Sequence, residues 1–242
     1  MKLNNQKFFY LGCLCLILFQ FRGYLTTTRV RSYLDNSRQI WSQLSKNLRN
    51  GHSPATSPNY SDSDLYSTPP LIMQGGDPYI RALMRTISAS EANVARPYNV
   101  IYGGRYIENL GTHPEVCVTI LSGPNVGQCT TAAGRYQMLD FTWSRQAQQY
   151  HPKPSGIWQW KTYSFEAEFQ DHVVHDWLSD HNAWKNNIPQ LLREGKIEQV
   201  LQLLSSTWTS LGYGIETNSM SAYLPDIYKN VLKEEQHFNE DK

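Results

Sequence analysis

The chain has 242 residues, of which 40% are hydrophobic and 12% are aromatic. This length and composition allow one globular domain with tails, and they exclude a wholly disordered chain. Residues 1–50 carry eight Lys and Arg against one Asp, a net +7, whereas residues 51–242 carry 14 Lys and Arg against 20 Asp and Glu, a net −6. A basic head on an acidic body is typical of a membrane-proximal segment ahead of a soluble domain, and it argues against a nucleic-acid-binding domain.

The first element along the chain is an apolar run from Phe8 to Phe21, preceded by Lys2 and Lys7. At about 14 residues it is short for a transmembrane helix and matches the core of a signal peptide. Residues 1–25 are therefore predicted to be a signal peptide or a membrane anchor. Arginines follow the run and favour the cytoplasm for that side, so the orientation stays open. Residues 26–76 are predicted to be a stalk helix and a poorly ordered Ser- and Pro-rich linker.

The folded domain is predicted over residues 77–235, with a tail at 236–242. Asp77 is an N-cap residue, and Pro78 follows it at the first helical position. Apolar residues then recur at the spacing of an amphipathic helix, at Ile80, Leu83, Met84 and Ile87.

Two β-prone runs, 98–102 and 105–107, flank a Gly-Gly pair and predict a hairpin. Residues 116–121 are predicted to add a third short strand. Thr131 is predicted to cap the next helix, which bears Tyr136, Leu139, Trp143 and Ala147. Apolar periodicity predicts further helices through Phe165–Trp177, through Ile197–Trp208 and in a last segment that ends near Lys233. The domain is therefore predicted to be mainly helical, with a small β-hairpin after its first helix.

Glu91 is the candidate catalytic acid. It lies eleven positions after Ile80, so at about 100° per residue it projects from the same apolar face, at the C-terminal end of the helix. Partial burial and the negative end of the helix dipole are both expected to raise its pKa. A carboxylic acid that stays protonated near neutral pH can donate a proton to a glycosidic oxygen. The alternative is that the helix frays by Ser88 and Glu91 points to water.

Six short motifs follow one another in a single order along this domain. They are Ser90-Glu91, Tyr98–Gly104, His113-Pro114, Ala132–Leu139, Gln170-Asp171 and Thr207–Gly214. The series resembles the lambda-endolysin family of lysozyme-like lytic transglycosylases, over about residues 77–230. The resemblance implies an α+β, mainly α fold with two lobes: a small β-hairpin subdomain and a helical lobe, with the glycan in the cleft. It also places the family's single catalytic glutamate on Glu91.

The resemblance implies cleavage of the β-1,4 bond between MurNAc and GlcNAc, with a 1,6-anhydro-MurNAc product. Hydrolytic glycosidases usually need a second carboxylate, and the only other acids between Glu91 and Gln137 are Glu108 and Glu115. The shortage of acids favours the one-acid mechanism of the family. A hydrolytic muramidase is the alternative, and a non-catalytic cell-wall-binding protein is a third hypothesis from a different class.

Four residues are candidates for substrate binding: Asn99, Tyr136, Gln137 and Tyr213. Tyr136 and Gln137 carry groups that hydrogen-bond to sugars, although the helical stripe gives Tyr136 an equally good place in the core. Tyr213 is expected to line the cleft across from Glu91. The family's endolysin has Asp where this chain has Asn99, so one carboxylate is missing from the site.

Cys117 and Cys129 lie twelve positions apart across a Gly-, Pro- and Asn-containing loop. They are predicted to form a disulfide if the domain is exported, with free thiols as the alternative. Because peptidoglycan lies outside the cytoplasmic membrane, the catalytic domain is predicted to be exported or membrane-anchored and to face the cell wall or periplasm. The predicted partners are peptidoglycan glycan strands and, for the N-terminal segment, the membrane. No nucleic acid, metal or cofactor is predicted, and the protein is predicted to be a monomer.

Overall fold

The computed structural model describes residues 68–121, 123, 125–156, 161–213 and 220–240, so the predicted signal peptide or anchor and the stalk helix lie outside it. Two-residue strands, β1 (Val118–Thr119) and β2 (Cys129–Thr130), pair antiparallel. The prediction of an α+β, mainly α fold is confirmed. Over the described part of the chain, no helix is both long and apolar enough to cross a membrane. The helices are α1 (Pro78–Glu91), α2 (Asp140–Tyr150), α3 (Ala167–Ser179), α4 (His181–Trp184), α5 (Ile188–Arg193), α6 (Ile197–Leu204) and α7 (Leu224–Glu240).

Helix α1 is the central element of the domain. It begins as predicted, because the Asp77 carboxylate accepts the backbone N–H of Tyr79 at 3.0 Å and Pro78 occupies the first turn. Residues 80–89 are all buried, since α3, α5 and α7 pack around them. A helix enclosed in this way fixes the position of its last residue, Glu91.

Two arginines of α1 share one glutamate of α7. Arg81 Nε lies 2.6 Å from Glu235 Oε2, and a terminal guanidinium nitrogen of Arg85 lies 3.0 Å from Glu235 Oε1. Buried charges are tolerated only when they are paired and fully hydrogen-bonded. The same guanidinium groups also donate to backbone carbonyls ahead of α1, Arg81 to Met73 at 3.0 Å and Arg85 to Thr68 at 2.6 Å. These contacts hold both α7 and the segment that precedes α1 against helix α1.

Residues 68–76 are folded onto the domain. The side chains of Leu71 and Met73 are only 6% and 3% exposed. Residues 68–76, predicted as the end of the stalk-and-linker segment 26–76, are therefore part of the folded domain, which begins before residue 77. The composition of the segment resembles a linker, but the domain supplies partners for its backbone polar groups as well as a core for its apolar side chains. Helix α7 likewise continues to Glu240, past the predicted end near Lys233.

The predicted Gly-Gly hairpin forms, although its arms are very short. Both turn glycines, at 103–104, have φ near +83°, in the left-handed region that a tight hairpin turn requires. Val100 pairs with Tyr106, but Ile101 forms a bridge with Ala133 on its other side. The hairpin is therefore joined to the segment that leads into α2.

The helix predicted to follow Thr131 begins nine residues later, at Asp140. Residues 134–137 form a turn instead. Gly134 has a φ of +73°, and a Cβ atom there would lie 2.8 Å from the ring of Phe165, so this turn needs glycine. Thr131 still serves the helix, because its hydroxyl accepts the backbone N–H of Asp140 at 3.1 Å.

Cys117 and Cys129 form a disulfide beside the two-stranded sheet. Their Cα atoms are 5.5 Å apart, a usual separation for bridged cysteines. The loop that the bridge closes carries two exposed apolar side chains, Leu121 and Val126, at 77% and 59% exposure. Because a sheet of two residues per strand has little stability of its own, the bridge is expected to hold this loop in place.

Replacing both cysteines by serine is expected to lower the free energy of unfolding by about 2–3 kcal/mol, because the bridge restricts the unfolded chain. Denaturant unfolding of the oxidised, reduced and doubly substituted proteins is the measurement. Reductant should destabilise the native protein and leave the double variant unchanged. Alkylation of Cys117 and Cys129 in the oxidised protein would contradict the bridge.

Two buried His-Pro turns share one hydrogen-bond pattern. In each, the backbone N–H two residues later donates to the ring Nδ1, at 3.2 Å for His113 and 3.1 Å for His151. The ring Nε2 atoms lie 2.9 Å from the Met138 carbonyl and 3.1 Å from the Ser164 carbonyl, respectively. Since an amide only donates and a carbonyl only accepts, each ring is neutral with its proton on Nε2. Burial lowers the pKa of both histidines.

The domain is expected to lose stability as the pH falls below about 6.5, the ordinary pKa of histidine. Because the folded-state pKa values of His113 and His151 are lowered, the unfolded state binds more protons there, so stability rises with pH in this window. Thermal unfolding across this pH range should show a shallower slope for His113→Gln and His151→Gln. The exposed His181→Gln is the control, and slopes identical to that control would contradict the assignment.

Candidate active site

Glu91 is the last residue of α1, and its side chain is half-buried. The hydroxyl of Ser210, in the 3₁₀ segment Thr209–Leu211, donates a hydrogen bond to Glu91 Oε1. The Ser90 hydroxyl lies 3.0 Å from that of Ser210. Glu91 is therefore hydrogen-bonded to Ser210 at the edge of the core. The alternative prediction, in which the helix frays and Glu91 points to water, does not describe this arrangement. Its raised pKa stays a prediction.

The segment that carries Ser210 is fixed from both sides. The Ser221 hydroxyl donates to the Ser210 carbonyl at 2.9 Å. Two residues earlier, the buried indole of Trp208 donates its N–H to the Tyr136 carbonyl at 2.9 Å. This second contact ties the partner of Glu91 to the turn at 134–137, so the acid and that turn belong to one rigid framework.

Gln137 and Asn99 lie half-buried on two neighbouring segments of the small β region. The amide nitrogen of Gln137 donates to the carbonyls of Gly134 at 2.9 Å and Val100 at 3.3 Å. The amide nitrogen of Asn99 donates to the Ile107 carbonyl at 2.9 Å. These contacts orient both side-chain amides. That either one binds a glycan stays a prediction.

Tyr136 is a core residue, which corrects its predicted sugar contact. Its side chain is 1% exposed, and its hydroxyl donates to Asp171 Oδ1 at 2.6 Å. A hydroxyl enclosed in this way does not reach a glycan. Tyr213, in contrast, is 57% exposed and follows the Ser210 segment. Its place across the cleft from Glu91 stays a prediction.

A buried polar network, which the sequence did not reveal, lies behind these residues. Asp171 and Arg135 are both completely enclosed. Asp171 Oδ2 accepts the Tyr98 hydroxyl at 2.7 Å and the Ile72 backbone N–H at 2.8 Å. The Arg135 guanidinium donates to the same Tyr98 hydroxyl and to the Pro70 carbonyl, each at 2.9 Å. The network thus joins α3, the 134–137 turn, the start of the hairpin and the segment ahead of α1.

Three other acids of this region accept hydrogen bonds from other side chains, and Glu115 is exposed. Glu108 is exposed and accepts Arg96 with both carboxylate oxygens, at 2.9 and 2.8 Å. Asp140 accepts the Thr131 hydroxyl at 2.8 Å, which lowers the pKa of that carboxyl. Asp171 accepts the hydroxyls of Tyr98 and Tyr136 in the buried network. Within the described ranges, no group of three or more His, Cys, Asp or Glu is placed to hold a metal ion.

Comparison with known proteins gives a family match. A sequence profile of the Endolysin family matches residues 81–233, which is more than half of the chain. Bacteriophage lambda lysozyme in complex with a chitohexasaccharide is 24% identical with a TM-score of 0.49, over 66% of this chain and 97% of that one. Another structure of lysozyme from bacteriophage lambda is 22% identical with a TM-score of 0.47, over 67% of this chain and 97% of that one. No curated protein matches. The chain belongs to the Endolysin family, and it is a lysozyme-like, glycan-cleaving enzyme that acts on the bacterial cell wall.

Proposed function

We propose that the protein is a peptidoglycan lytic transglycosylase in which Glu91 serves first as acid and then as base. The supporting observation is the state of the neighbouring carboxylates. Glu108, Asp140 and Asp171 each accept hydrogen bonds from other side chains, and the Glu115 side chain is exposed. A hydrolytic glycosidase normally sets a second carboxylate across the scissile bond, to act as nucleophile or to activate water. Asn99, an amide at a family aspartate position, fits the same interpretation.

The reaction needs one group that gives and then takes a proton. Protonated Glu91 donates to the glycosidic oxygen between MurNAc and GlcNAc, and the bond from that oxygen to C1 of MurNAc breaks. The C6 hydroxyl of the same MurNAc then bonds to C1, and its proton passes to the Glu91 carboxylate. The products are a 1,6-anhydro-MurNAc end and a free C4 hydroxyl on GlcNAc. Water is not consumed, and Glu91 returns to its protonated state.

Mass spectrometry of digested peptidoglycan tests the proposal. A transglycosylase yields muropeptides with anhydro ends, each lighter by one water than the corresponding reducing product. Reducing MurNAc ends without anhydro forms would instead establish a hydrolytic muramidase. Unchanged peptidoglycan from a folded, pure protein would favour a non-catalytic wall-binding protein.

We also propose that the catalytic domain works outside the cytoplasmic membrane, exported or anchored through residues 1–25. The Cys117–Cys129 pair supports this location, because disulfides persist in oxidising compartments. Fractionation of cells that express the full chain, with protease added from outside, is the test. A domain found wholly in the cytoplasm would contradict the proposal.

A further inference from the structure

We propose that Ser210 is the positioning residue that selects which oxygen of Glu91 carries the transferred proton. This inference rests on the proposed function, because it gives Ser210 a part in the proton transfer by Glu91. The observation behind it is the hydrogen bond from the Ser210 hydroxyl to Glu91 Oε1. Ser210 would act through Glu91 and would not need to touch the substrate.

The chemistry of a carboxylic acid gives this contact its direction. In a protonated carboxyl group, the oxygen that accepts a hydrogen bond from a neighbour is favoured as the carbonyl oxygen. The acid proton is therefore favoured on the other oxygen, Oε2. Once Glu91 has donated its proton, the bond from Ser210 becomes charge-assisted and therefore stronger. The contact thus stabilises the charge that develops as the glycosidic bond breaks, and it does so without moving.

The surroundings of Ser210 favour this donor role. A hydroxyl has one proton, and Ser210 has two neighbouring acceptors, Glu91 Oε1 and the Ser90 oxygen at 3.0 Å. A carboxylate is the stronger acceptor, so the proton is expected to go to Glu91. The Ser90 hydroxyl uses its own proton to donate to the Ile87 carbonyl, at 3.0 Å.

The two arginines of α1 have partners other than Glu91. Arg81 and Arg85 are bound to Glu235 of α7 and to the segment ahead of α1. The Ser210 backbone is fixed by Ser221, which donates to its carbonyl at 2.9 Å. The hydroxyl is therefore delivered from a rigid segment, as expected for a positioning group.

The test compares Ser210→Ala with Ser210→Thr in the full chain. Ser205→Ala is the matched control, since Ser205 is also a buried serine but donates to the Gln202 carbonyl within its own turn. On soluble glycan-strand fragments, Ser210→Ala is expected to lower kcat about tenfold with KM nearly unchanged. Ser210→Thr keeps the hydroxyl and should restore most of the loss.

The pH profile provides a readout that a merely structural role would not change. A hydrogen bond to the carboxylate favours the charged form, so its loss should move the alkaline limb of kcat/KM to higher pH. A Ser210→Ala enzyme with the kcat and pH profile of the Ser205→Ala control would overturn the inference. A Ser210→Thr enzyme as slow as Ser210→Ala would also overturn it. Both results leave the proposed function standing, whereas wild-type activity of Glu91→Gln would reject the proposed function itself.

Discussion

Glu91→Gln is expected to lower the rate of peptidoglycan cleavage by about 10³- to 10⁴-fold, near the upper end of what general acid–base catalysis contributes. The amide cannot donate an acid proton to the glycosidic oxygen, and it cannot accept the proton of the C6 hydroxyl afterwards. Both halves of the proposed reaction are therefore lost with one substitution. The rate of release of soluble muropeptides from purified peptidoglycan is the measurement.

The substitution should leave the fold intact, because glutamine has nearly the same shape and keeps an oxygen that can accept the Ser210 hydroxyl. Thermal unfolding should therefore stay close to that of the wild type. Glu108→Gln is the matched control: this carboxylate is 79% exposed and accepts its hydrogen bonds from Arg96, and its loss should cost little activity. Retention of more than about a tenth of the activity by Glu91→Gln would reject its role as the catalytic acid.

The elements that local sequence predicts well are those with strong local signals. Asp77 and Pro78 mark the start of α1, and the glycine pair at 103–104 marks the hairpin turn. Helical phase also predicts that Glu91 lies at the edge of the core. For the helix start and the hairpin turn, the determining interactions are between residues close together in sequence, which is where capping and turn preferences act.

The features that the sequence did not predict depend on contacts between distant segments. Tyr136 fits a helical stripe, but residues 134–137 form a turn, in which Gly134 has a positive φ and a Cβ atom there would collide with Gln170 and Phe165. Ser210 meets Glu91 across 119 positions. Spacing along the chain contains no signal for such a contact. The motifs at 170–171 and 207–214 indicate a family, but they do not show that one supports the fold and the other contacts the acid.

Asp171→Ala is expected to lower the free energy of unfolding by about 3–5 kcal/mol, the usual cost of removing one partner from a buried charged network. Four donors converge on this carboxylate: the hydroxyls of Tyr98 and Tyr136 and the backbone N–H groups of Ile72 and Met73. Burial raises the pKa of both tyrosines, so their hydroxyls stay protonated and continue to donate. Removing the carboxylate leaves all four without this acceptor.

The same substitution should loosen residues 68–76, since Asp171 holds the Ile72 and Met73 backbone. Asp176→Asn is the matched control, because Asp176 is on the same helix but its side chain is 51% exposed. That control should change stability by no more than about 0.5 kcal/mol. Denaturant unfolding measures the stability, and amide hydrogen exchange of residues 68–76 measures the loosening. Equal stability of the two variants would mean that the buried network adds nothing to the fold. Exchange that stays slow in Asp171→Ala would mean that the other contacts of this segment, those from Arg81, Arg85 and Arg135 and the buried Leu71 and Met73, are enough to hold it.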